Sequence, residues 1–144
     1  MKIICSYFLL FLSISSTASV PNVDDKILEA FSHTYGNERQ VQWTKAGNNW
    51  QAYFQQDDII NRLEYNQSGE LVHATRYYQS AQLAPHLLAK LHRKYQQHSI
   101  FGVTEVTFEN RTTYYIVLED GKNWYHVTSN EYGQIDLKQK YRKA

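Results

Sequence analysis

Two stretches of this chain carry the same apolar stripe. The first comprises Ile27, Leu28, Phe31 and Tyr35, the second Leu87, Leu88, Leu91 and Tyr95, and each follows the spacing i, i+1, i+4, i+8 of one side of an amphipathic helix. Every residue of the second set lies 60 positions after its counterpart, which points to an internal repeat. Asn22 with Asp25 three residues on resembles a capping pair, and Pro85 suits a first helical turn, where its missing N–H costs nothing. Gly36 is placed to end the first helix in the left-handed conformation.

Four short segments of strand character follow each stripe: residues 41–44, 49–55, 59–65 and 71–78, then 103–108, 112–118, 123–128 and 134–137. The loops between them are short, as in antiparallel neighbours. Asn66 with Gly69 and Asn130 with Gly133 recur 64 positions apart; Asn starts such a turn through its own backbone and Gly supplies a positive φ. The expected fold is therefore α+β, a tandem repeat of one helix packed on a four-stranded antiparallel meander sheet. Residues 19–78 and 79–144 form the two units of one compact domain. One helix covers one face of each sheet, which leaves the other face to pack, pair or bind.

The N-terminus sets the expected compartment. Lys2 precedes an apolar run over residues 3–14, and small residues follow up to Ala18. This reads as a signal peptide over residues 1–18, too short to span a bilayer, so the chain is expected to be periplasmic or secreted with no membrane span. Cleavage removes Lys2 and Cys5, the single cysteine, and leaves 14 basic against 14 acidic residues. A net charge of zero gives no global attraction for nucleic acid. Without cysteine the exported part has neither disulfides nor thiol chemistry, and its core must hold it together unaided.

A helix ending in Tyr35, followed by Val41-Gln42-Trp43, Trp50-Gln51-Ala52-Tyr53-Phe54 and Asn66-Gln67-Ser68-Gly69, resembles the bacterial PepSY-like domains of the β-lactamase-inhibitor-like fold. The second half has Leu83-Ala84-Pro85, Val103-Thr104-Glu105-Val106, Tyr114-Tyr115-Ile116-Val117-Leu118 and Asn130-Glu131-Tyr132-Gly133 in the corresponding places. The resemblance covers nearly all of the chain after the leader. It implies a periplasmic or secreted protein of helix-plus-sheet units with no cofactor. The inhibitor that names the fold grips an enzyme with the exposed face of its sheets, but no residue motif here carries that target over. The turn position often held by Asp is Asn66 in one unit and Asn130 in the other, which removes the charge that calcium would need.

Enzyme signatures are sparse. No serine stands in a G-x-S-x-G elbow, and there is no H-E-x-x-H. His86, His92 and His98 are six apart, which spreads them over different sides of a helix rather than around one metal. Asp24-Asp25 fits a first helical turn and Asp57-Asp58 a hairpin turn, so neither pair needs a catalytic role. The basic tail Lys138, Lys140, Arg142, Lys143 and the cluster Lys90, Arg93, Lys94 read as solvated charge in a chain with no net charge, the alternative being an electrostatic contact with anionic envelope material. Asn66-Gln67-Ser68 and Asn110-Arg111-Thr112 match the glycosylation sequon but suit turns in a bacterial protein.

Aromatic side chains are the most informative feature, at 15% of residues with 12 Tyr and 3 Trp. Alternation along 49–55 puts Trp50, Ala52 and Phe54 on one face and Tyr53 on the other. Residues 112–118 are apolar on both faces. Tyr115 and Val117 are assigned with Trp50 and Phe54 to the helix-covered side, leaving Tyr114 outside with Tyr53, Trp124 and His126. These four are the candidate binding residues, for an unknown protein or peptide partner or for self-association. The reading is an exported non-enzymatic binding or inhibitor-like protein; the alternatives are a small periplasmic hydrolase, which would need converging ionisable groups in a cleft, and a structural envelope protein. Intact-mass measurement of the exported protein is expected to show a first residue near Ser19, and a full-length membrane-bound product would contradict the leader reading.

Overall fold

A computed structural model describes residues 22–37 and 40–144; the expected signal peptide over 1–18 and its cleavage site lie outside them. The first helix, α1 (Asp25–Tyr35), buries Ile27 and Phe31. Its cap is Asp24 rather than Asn22, because the Asp24 carboxylate accepts from the Lys26 backbone N–H at 3.0 Å while Asp25 occupies the positive end of the helix. Gly36 closes it at φ 69°, its N–H donating to Ser32 O. The second helix, α2 (Pro85–Lys94), starts on Pro85, buries Leu87 and Leu91, and ends on His92, Arg93 and Lys94, where cations favour the negative end.

Between and after the helices run β1 (Gln42–Ala46), β2 (Asn49–Gln56), β3 (Ile59–Tyr65), β4 (Leu71–Tyr78), β5 (Ser99–Phe108), β6 (Arg111–Glu119), β7 (Asn123–Asn130) and β8 (Ile135–Arg142). The turns explain themselves chemically. Asp57, Asp58, Glu109 and Asn110 all take positive φ, as a two-residue hairpin loop of the primed type demands. Asn66 Oδ1 accepts from Ser68 N and Glu70 N, and Asn130 Oδ1 accepts likewise from Tyr132 N and Gln134 N, with Gly69 and Gly133 at positive φ. The Asn66 amide nitrogen that the sequon reading would offer for modification donates to Glu70 Oε2 at 2.7 Å.

The expected pair of four-stranded sheets is corrected by the topology. All eight strands form one antiparallel sheet in the order β1 to β8, because β4 pairs with β5 from His73↔Phe108 to Tyr78↔Val103. The α+β class stands, but the fold is one eight-stranded sheet with two helices, not a helix-plus-four-strand sheet used twice. The physical reason is the edge: separate sheets would leave the N–H and C=O groups of β4 and β5 unpaired, whereas the crossover through α2 returns β5 antiparallel beside β4. The tail read as solvated charge is itself a strand, β8, which pairs with β7 and forms one edge of the sheet.

Both helices lie on the same face, each over its own core. Ile27 and Phe31 of α1 pack with Ala52, Phe54, Leu63, Tyr65 and Ala74. Phe31 meets Phe54, Trp43 and Tyr35 at centroid distances of 5.2, 5.3 and 5.4 Å. Under α2 lie Tyr78, Val103, Ile116, Leu118, Tyr125 and Val127. The face of β6 toward the helices therefore carries Tyr114, Ile116 and Leu118, which reverses the sequence assignment of Tyr115 and Val117. With Phe31 4% exposed, Phe31→Ala is expected to lower the unfolding free energy by about 3–5 kcal/mol in denaturant titration.

Candidate functional site

The face away from the helices is uncovered, and the strand register lays out its residues in rows. One row runs Gln55, Ile60, Tyr77, Thr104, Tyr115, Thr128 across β2 to β7. The next runs Tyr53, Arg62, Thr75, Val106, Thr113, Asn130. Toward the β8 edge stand Val117 opposite His126 and then Gln139, and Glu119 opposite Trp124 and then Tyr141. Thr104, Tyr115, Val117, His126, Thr128 and Lys138 line a recess of about 580 Å³. A second recess of about 350 Å³, lined by Ile60, Tyr77, Phe101 and Gly102, shares Thr104 and Val117 with the first, so the two form one trough along the middle of the sheet.

The lining of that trough is built from Thr, Tyr, Val and Ile, with carboxylates only at its margins, such as Asp58 in the β2–β3 turn. At the β8 end the aromatic groups touch. Phe101 and Trp124 meet edge to face at 4.9 Å, and His126 and Tyr141 do so at 5.1 Å. A register shift in β5 between Ile100 and Gly102 turns Phe101 toward Trp124 and leaves it 57% exposed. Lys143 caps the group, its ammonium 4.6 Å from the Trp124 ring centre and 2.6 Å from Glu119.

Of the four residues singled out from sequence, the structure places three on this face. Tyr53 is 41% exposed on β2, while Trp124 and His126 sit together on β7. Five strand spacings separate Tyr53 from that pair, about 24 Å, so it stands apart from the cluster. Tyr114 points the other way, against the α2 core. Its neighbour Tyr115, 51% exposed between Thr104 and Thr128, takes the position expected of it. Phe101, Tyr115 and Tyr141 were not singled out. Alternation alone is blind in β6, where both faces are apolar, and the bulge in β5 breaks the period-two count.

Ionisable groups converge elsewhere, on the helix side where β4 joins β5. Arg76 and Glu105 stand directly opposite and form a salt bridge at 3.0 Å, and the Tyr78 hydroxyl donates to the other Glu105 oxygen at 2.6 Å. Burial pushes the Tyr78 phenol up, and the bond to Glu105 pushes it further. Burial likewise raises Tyr65, Tyr114 and Tyr35. Both Glu105 oxygens are occupied by donors, so this is a clasp between two strands, with no carboxylate lone to act on a substrate. In the β6–β7 loop Asp120 accepts from Tyr125, Lys122 N and Asn123 N, and those bonds hold its carboxyl below the usual range. Among the described residues no three His, Cys, Asp or Glu are grouped to hold a metal ion. No helix among them is long and apolar enough to cross a membrane.

No family model and no curated protein matches the sequence. The fold is similar to that of solved structures. A BLIP-like protein from Bacteroides fragilis is 19% identical with a TM-score of 0.57, over 83% of this chain and 85% of that one. A DUF2874 family protein from Bacteroides uniformis is 12% identical with a TM-score of 0.56, over 83% and 89%. A candidate periplasmic protein from Bacteroides eggerthii is 13% identical with a TM-score of 0.57, over 85% and 90%. The chain thus has a BLIP-like fold, as the resemblance to the β-lactamase-inhibitor-like fold implied; the PepSY-like part of that resemblance finds no support in these likenesses.

The buried phenols generate a pH dependence. A phenol whose folded pKa lies above its unfolded value of 10.0 holds its proton more tightly in the fold, so its contribution is complete below that pH and is lost as pH rises through the folded pKa. Unfolding free energies measured between about pH 8 and pH 11 are expected to fall above pH 10, and Tyr78→Phe to make that fall shallower.

Proposed function

We propose that this protein is an exported, non-enzymatic binding protein that grips a protein partner, in the manner of an inhibitor, with the open face of its sheet. The observation that carries this reading is the trough itself: its centre is uncharged and lined by Tyr, Thr and Val, with the aromatic cluster of Phe101, Trp124, His126 and Tyr141 at one end. A centre depleted of charge with rigid amphipathic rings around it is the composition of a protein-binding surface. Turns, caps and the β4–β5 clasp account for carboxylates elsewhere, and those on the open face are held by their neighbours, Glu64 by Asn49 and Gln51 and Glu119 by Lys143, which favours binding over hydrolysis.

The likeness to a BLIP-like protein and to a candidate periplasmic protein supports the same reading, as does the leader expected over residues 1–18. Periplasmic or secreted localisation belongs to the proposal. Tyr115, Trp124 and His126 are its anchors, and Tyr53 a more distant contact across the sheet. A structural envelope protein held by its own packing would not need these rings exposed.

Tyr115→Ala and Trp124→Ala, alone and together, test the proposal. The half-exposed Tyr115 predicts a change in stability within about 0.5 kcal/mol for its single variant. Affinity for a partner captured from the native extract, then identified and purified, is expected to fall at least about thirtyfold in the double variant. Unchanged affinity in a folded double variant overturns the open face as the site.

A further inference from the structure

The charges of this chain are sorted along it. Residues 19–78 carry eight acidic and five basic side chains, and residues 79–144 carry six and nine. A molecule without net charge is thus a dipole whose positive end is the half that contains α2 and β8.

The fold gathers much of that positive end on one flank, the helix side of the β8 edge. Lys90 and Lys94 reach from α2 toward the β7–β8 turn, where their ammonium groups donate to Tyr132 O at 2.5 Å and Ile135 O at 2.6 Å. Those bonds hold the two charges at fixed points. Gly133 makes room for one of them, since a Cβ there would come within 2.5 Å of Lys90 Cδ. The recess of about 460 Å³ between α2 and the turn is lined by Lys90, Arg93, Lys94, Gly133 and Ile135, without a carboxylate. Lys140 lies over the Tyr125 ring at 5.0 Å, and Arg142 shares its side of β8 in the register with β7. Lys138 and Lys143 are paired with Asp136 and Glu119, whereas Lys90, Arg93, Lys94, Lys140 and Arg142 make no ion pair among the described residues.

Two exposed side chains rise from the same flank. Tyr132, 70% exposed, belongs to the turn that Lys90 holds. Leu137, 50% exposed, stands opposite Val127, whose side chain is buried under α2. Ordered cations around an exposed tyrosine and leucine match a layer of lipid phosphates with its acyl boundary beneath: the cations meet the phosphates, and the two apolar groups enter the interface.

We propose that the α2–β8 flank docks on an anionic phospholipid bilayer. The cations are spread over a helix and a strand edge rather than gathered round one slot, which fits an extended charged surface better than a single acidic peptide. The sheet lies between this flank and the trough, so docking leaves the open face turned away and accessible. The inference stands independently of the partner reading given above.

Co-sedimentation of the exported protein, its leader cleavage checked by intact mass, with vesicles of about 30 mol% phosphatidylglycerol in phosphatidylcholine tests it. Binding to these vesicles and not to pure phosphatidylcholine is expected, and it should weaken steeply as salt is raised. Each of K90Q, R93Q, K94Q, K140Q and R142Q is expected to weaken partition about fivefold, whereas K26Q and K45Q, in the acidic half, leave it unchanged. A melting temperature kept by R93Q and R142Q, whose side chains hold no backbone group, shows that a loss is not unfolding. No partition to anionic vesicles, equal partition to neutral ones, or equal loss from K26Q overturns the proposal. So does salt-sensitive binding to polyglutamate in place of the vesicles, which would assign the flank to an acidic protein.

Discussion

The pairing of β4 with β5 is the interaction on which the rest of the molecule depends. Six register pairs from His73↔Phe108 to Tyr78↔Val103 join what would otherwise be two small sheets, and Arg76, Glu105 and Tyr78 clasp the joint from the helix side. Taking that carboxylate and guanidinium partly out of water is costly, and Arg76 Nε is buried without a partner of its own. The return is registry: the charged pair sits directly across the two strands, so a slip by one residue would bury an unpaired charge and put every side chain of β5 on the wrong face. On the other side of the same joint, Tyr77 of β4 and Thr104 of β5 stand opposite each other in the floor of the trough. The open face is continuous because β4 and β5 are paired.

How much of this was legible in the sequence divides along a physical line. The helices were, because a stripe such as Ile27, Phe31 or Leu87, Leu91 repeats with the period of the helix itself. The hairpin turns were, because Asn66 and Asn130 bond their own loops and Gly69 and Gly133 are the residues that take positive φ there. Such features are written within a few residues. The β4–β5 pairing is not, since its partners lie 25 to 35 positions apart and nothing in either segment names the other. The same blindness misplaced Tyr114 and Tyr115, where tertiary context alone decides which apolar side of β6 lies under α2.

The open and covered faces differ in how they use their aromatic side chains. Under α1 the rings of Phe31, Phe54, Trp43 and Tyr35 interlock, and what they contribute is area removed from water and edge-to-face contact. On the open face Phe101, Trp124, His126 and Tyr141 make the same ring contacts at the same distances while remaining partly in water. A ring already held by its neighbours loses little rotamer freedom when something covers it, so the cluster is organised before any contact is made. Lys138 and Lys143 edge this face, and β8, which carries Lys138, charges a sheet margin that would otherwise accept another strand.

The strictly sequential strand order has a mechanical consequence. Each strand bonds only to its chain neighbours, so β1 and β8 lie at opposite margins, about 34 Å apart across seven spacings. Tension applied across those margins acts along the hydrogen bonds and loads them one pair at a time, opening the sheet as a zipper. A sheet whose end strands lay side by side would instead share that load across a whole ladder in shear. Pulled from edge to edge, this molecule therefore yields one strand pair at a time.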